Sequence, residues 1–80
     1  MKELRRTKIL EILKSGGKWR ASEISDFLNE NRESMEIPEY IPISTQMVSK
    51  DLRYLRDKGH VDAEPDPENW IFVNLYFIKK

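Results

Sequence analysis

Residues 44–59 read S-T-Q-M-V-S-K-D-L-R-Y-L-R-D-K-G and predict one helix with both ends marked. Ser44 suits the N-cap, where its hydroxyl can accept from a first-turn N–H that has no intrahelical partner. Ile43, one residue earlier, is placed to staple onto Val48. Gly59 suits the left-handed conformation that ends a helix. At about 100° per residue, Val48, Leu52 and Leu55 fall within roughly 60° of one another. Thr45, Gln46, Ser49, Lys50, Arg53 and Arg56 spread over the opposite side. That face carries hydroxyls, an amide and three cations, a side-chain set able to address base edges and phosphates. The plainer reading is the solvated face of an ordinary amphipathic helix.

Beyond this helix the period changes. Val61 and Ala63 alternate with Asp62 and Glu64, and Asp66-Pro67-Glu68-Asn69 is a turn cluster. Residues 70–78, W-I-F-V-N-L-Y-F-I, then predict a strand that pairs with residues 60–64 as a hairpin. Ile71, Val73, Leu75 and Phe77 form a purely apolar face suited to the core. Trp70, Phe72, Asn74, Tyr76 and Ile78 form the other.

Upstream, residues 2–14 predict a first helix in which Ile9, Leu10, Ile12 and Leu13 cover an arc of about 160°. Leu4 lies outside that arc. Lys2, Arg5, Arg6 and Lys8 crowd the first two turns, where the helix dipole prefers anions. They serve either an external anion or solubility. Ser15-Gly16-Gly17 ends the helix. Lys18-Trp19-Arg20 fits a brief strand added to the hairpin, with Trp19 in the core and its flanking cations available to phosphate. Residues 21–30 predict a second helix with Ala21, Ile24, Phe27 and Leu28 on one face. In the connection 31–43, Pro38 and Pro42 forbid a continuous helix. Its Ile37, Tyr40, Ile41 and Ile43 are expected to lie down on the core.

Eighty residues without cysteine predict one domain, residues 1–80, with a marginal core and neither a disulfide nor a thiolate metal site. No apolar run approaches the roughly 18 residues of a membrane span. The start M-K-E-L-R-R lacks the apolar stretch of a secretion signal. A soluble, cytoplasmic protein is expected. Formal net charge is zero, but the charges come in blocks. Residues 1–20 carry seven cations and two acids; residues 21–43 carry one cation and six acids. A basic side and an acidic side are therefore expected on the surface.

The order helix, short strand, helix, helix, hairpin resembles the winged helix-turn-helix superfamily of DNA-binding domains over nearly the whole chain. The local likeness is to the N-terminal domains of DeoR-type repressors. There a run like R-R-T-K-I-L-E-I-L, residues 5–13 here, opens the first helix, and residues 44–59 look like the recognition helix. Val48, Lys50-Asp51-Leu52 and Leu55 match that pattern best. The resemblance implies an α+β fold of three helices with a C-terminal β-hairpin wing. It also implies that helix 44–59 enters the major groove. On that basis Thr45, Gln46, Ser49, Lys50 and Arg53 face bases, while Ser44 and Arg56 lie nearer phosphate. Arg20 is a further phosphate candidate, because helix N-termini favour anions. Arg5 and Arg6 either touch the DNA flanks or only keep the domain soluble.

Two features depart from the superfamily pattern. The second and third helices are normally joined by a turn of a few residues, and here the link spans residues 31–43. Arginine-repressor-like winged helices share a lengthened link. The wing also carries Asp62, Glu64, Asp66 and Glu68 and no cation, so phosphate would repel it. Such a wing either faces away from DNA or serves a protein partner.

Nothing in the sequence supports catalysis, a metal or a cofactor. His60 is the lone histidine and reads as a link residue after Gly59. The acids at 62, 64, 66 and 68 lack the glycine and terminal bidentate Glu of a Ca²⁺ loop. Gly16-Gly17 is a helix stop, not a phosphate cradle. The leading expectation is a small stand-alone transcription regulator that binds double-stranded DNA sequence-specifically. The alternative is a winged helix used for protein–protein contact, favoured by zero net charge and the acidic wing. Trp70, Phe72, Tyr76 and Ile78, with Leu4, would leave an apolar patch outside. Either a homodimer or the 31–43 connection is expected to cover it.

Overall fold

The computed structural model describes residues 2–68 and 73–79. Its elements are α1 Lys2–Lys14, α2 Ala21–Glu30, α3 Thr45–Asp57, β1 Val61–Pro65 and β2 Asn74–Ile78. The chain is α+β, with three helices preceding a two-stranded antiparallel sheet. Trp19 forms a bridge on the other edge of β2. Its N–H donates to the Tyr76 carbonyl at 2.9 Å, and the Tyr76 N–H returns a bond of 2.7 Å. No helix among the described residues is long and apolar enough to cross a membrane.

The helix ends follow from single residues. The Ser44 hydroxyl accepts from the Met47 N–H at 3.2 Å, so α3 begins where its cap predicts. At its far end Gly59 adopts φ +83°, the His60 N–H donates to the Leu55 carbonyl and the Gly59 N–H to that of Arg56. This pair of reversed bonds satisfies carbonyls that the helix leaves over, and glycine carries no Cβ penalty there. His60 is thereby a link residue: its carbonyl also accepts from the Lys79 N–H.

All three helices and the link contribute to one core. Ile9 and Leu13 of α1, Ile24 and Leu28 of α2, and Val48, Leu52 and Leu55 of α3 are buried with Ile37, Ile41, Ile43 and Val61. Burying each such side chain contributes about 1.5–3 kcal/mol, which is how helices this short persist. Phe27 departs from the expected α2 face. It is 36% exposed and meets the Trp19 ring edge-on at 5.7 Å. Ser25 is buried instead, its hydroxyl donating to the Ser22 carbonyl.

The 31–43 connection lies on the core through its isoleucines, but Tyr40 does not join them and is 70% exposed. A turn after α2 ends at Glu36 (φ 57°), where the Ile37 N–H reaches back to the Arg32 carbonyl. Arg32 then organises the prolines. Its guanidinium donates to the carbonyls of Pro38 (3.0 Å) and Ile41 (2.8 Å) and to the Asn29 Oδ1. The Asn29 amide donates to the Ile43 carbonyl at 3.1 Å. Asn29 of α2 and Arg32 just beyond it thus donate to carbonyls of a segment whose prolines have no N–H to offer.

The hairpin reverses one expectation. Val61 pairs with Ile78 and Ala63 with Tyr76, so these four share a face. Val61 is buried, and Tyr76 and Ile78 pack against the core. Leu75 and Phe77, opposite Glu64 and Asp62, are therefore on the outer face. Tyr76 and Ile78 are not an outer patch, and Leu4 also packs on the core. Trp70 and Phe72 lie outside the described residues. The register sets this parity: a slip by one residue would exchange the two faces of β2.

Candidate nucleic-acid interface

The solvent side of α3 follows from its buried stripe. With Val48, Leu52 and Leu55 held in the core, Thr45, Gln46, Ser49, Lys50 and Arg53 surround one shallow depression of ≈ 360 Å³. All five expected base-facing residues are thus brought together. A second depression of ≈ 320 Å³ adjoins it between the start of α2, α3 and β2. Arg20, Ser22, Thr45, Ser49, Arg53 and Asn74 are among its walls. The Thr45 hydroxyl lies 3.1 Å from that of Ser25, which ties the first turn of α3 to α2. Arg56 is exposed one turn beyond Arg53. Ser44 is exposed but its hydroxyl is engaged as the cap.

Electrostatics separates these cations from the rest. Lys50, Arg53 and Arg56 have no ion-pair partner among the described residues. The cations of the N-terminal block are in a different position. Arg5 is buried, 8% exposed, and its Nε donates to Asp51 Oδ2. Its other nitrogens donate to Asp51 Oδ1 (3.4 Å) and the Pro42 carbonyl (3.1 Å), with the Met47 sulfur at 3.6 Å. Arg6 donates to Asp51 Oδ1 at 3.3 Å and lies 3.6 Å from the centre of the Tyr54 ring. Arg5 and Arg6 are therefore corrected as phosphate candidates: the carboxylate of Asp51 holds both.

Arg20 is corrected in part. Its guanidinium pairs with Asp66, and with Glu68 at 3.4 Å, although it remains on the wall of the second depression. The hydrogen bond to Asp66 is the main reason its pKa lies above the ordinary arginine value, against a lowering by burial. A raised basic pKa is lost to stability only as pH climbs through that raised value, so Arg20 stays charged at every ordinary pH. Lys18 pairs with Glu64 at 2.5 Å and lies over the Phe77 ring. Arg5, Arg6, Lys18 and Arg20 thus pair with Asp51 and the hairpin acids, not with the acidic block of residues 21–43. The acidic hairpin tip is bound to Arg20 and Lys18.

Sequence reasoning missed Asp51. The signal is present: Asp51 follows Val48 by three residues and precedes Leu55 by four, so it borders the apolar stripe. An acid there is stabilised by a buried cation, and among the described residues that cation is Arg5 of α1.

Hydroxyls, an amide, an ammonium and a guanidinium around one open depression can donate to and accept from a planar, polar partner and neutralise an anionic one. No family model matches the chain, and no characterised protein matches it in sequence.

Proposed function

We propose that this chain is a winged helix that binds double-stranded DNA sequence-specifically, with the exposed face of α3 in the major groove. The observation that carries the reading is the grouping of Thr45, Gln46, Ser49, Lys50 and Arg53 around one open depression, with its cations in no ion pair among the described residues. Three helices followed by an antiparallel hairpin is the element order such a domain requires. Arg53 and Lys50 are the base-reading or phosphate donors, Gln46 and Ser49 the adaptable polar contacts, and Arg56 a phosphate contact. The role is that of a transcription regulator without catalysis.

Selection of bound sequences from random duplexes, followed by titration at two salt concentrations, tests the reading. A specific binder enriches a site and loses affinity with a log–log slope of about −0.9 per phosphate neutralised. Recovery of no site, with no binding at either salt, would refute it.

The second reading is a protein-binding module. Leu75 and Phe77 are half-buried on the outer hairpin face, beside Asp62 and Glu64. A mixed apolar and acidic surface suits a basic, apolar protein segment better than phosphate.

A further inference from the structure

Asp51 and the face of α3 that carries Arg53 point in opposite directions. Two residues at about 100° each place their side chains roughly 160° apart around the helix. Asp51 is 1% exposed, so it touches nothing outside the protein. Yet one guanidinium, Arg5, reaches three points along this helix and its lead-in. It bonds Asp51 in the middle of α3, lies against Met47 in the first turn and holds the carbonyl of Pro42 just before the cap. Arg6 adds a second bond to Asp51 and is held by Tyr54, also on α3.

Apolar packing of Val48, Leu52 and Leu55 is non-directional and leaves the roll of a helix loosely determined. Hydrogen bonds to a planar fork are directional. Side-chain tips lie about 5–6 Å from a helix axis, so a roll of about 10° moves them by roughly 1 Å. That exceeds the width of the hydrogen-bond distance range.

We infer that Arg5 and Asp51 are positioning residues that set the roll of α3, so that discrimination between DNA sequences depends on a pair that never touches DNA. The inference rests on the DNA-reading role of α3.

The test uses the full chain and the duplex enriched by the wild type, with a scrambled duplex of equal length. Asp51→Leu alone leaves a buried guanidinium unpaired and destabilises the fold. The triple variant Arg5→Met/Arg6→Gln/Asp51→Leu removes the buried pair together with the second arginine that Asp51 holds, and replacing buried charges in this way restores stability in other proteins. Its ratio of affinities for the selected over the scrambled duplex should still fall by about tenfold, with the salt slope unchanged because no phosphate contact is lost. Arg5→Lys keeps the charge but not the fork, and should lower the same ratio while the protein stays folded.

A purely structural pair predicts the opposite: either folded variant keeps the wild-type ratio, which overturns the inference and leaves the DNA reading intact. A wild type that enriches no sequence overturns both together.

Discussion

The arginines of α1 and those of α3 have the same chemistry and opposite fates. Arg5 and Arg6 enter the fold and are held by the carboxylate of Asp51. Arg53 and Arg56 stay in water and form no ion pair among the described residues. The difference is one of partner geometry, not local composition. The R-R of α1 is open to either DNA or solubility in the sequence, and in the fold its two guanidiniums share one carboxylate, which offsets half of their charge. The lesson is that a cation counts toward an external ligand only after internal carboxylates have been matched.

The largest effect expected is on the internal side. Asp51→Leu should cost about 3–5 kcal/mol, because it strands a buried guanidinium. Urea unfolding would show this as a lower midpoint at unchanged slope. A loss below about 1 kcal/mol would make this an ordinary surface ion pair and erase the contrast.

Next comes the exposed side. Arg53→Ala should weaken binding to a selected duplex by about 1–3 kcal/mol and relax preference at one position. Its unfolding free energy should move by no more than about 0.5 kcal/mol. An equal loss on every duplex would reassign Arg53 to phosphate.

The smallest effects sharpen the comparison most. Arg56→Gln should reduce the magnitude of the salt slope by about 0.9, one phosphate contact. Arg6→Gln should leave that slope unchanged, since its guanidinium already pairs with Asp51. A slope that drops for Arg6 and not for Arg56 would invert the assignment.

Much of this arrangement was legible in the residues. The three helices, the cap at Ser44 and the stop at Gly59 follow from local chemistry. So does the grouping of Thr45, Gln46, Ser49, Lys50 and Arg53, because burying three stripe residues turns everything opposite them to solvent. The fates of Arg5, Arg6 and Arg20 were not legible, since their carboxylate partners are 45 or more positions away.

β1 and β2 show where that boundary falls. In β1, apolar Val61 and Ala63 alternate with two acids, so the sequence by itself decides which face turns inward. In β2, residues 75–78 are apolar on both faces, and neither face is preferred by composition. The pairing of Val61 with Ile78 made the choice, turning Tyr76 and Ile78 in and Leu75 and Phe77 out. Only tertiary structure could decide it, because side chains alternate with a period of two and the register of the partner strand sets their phase.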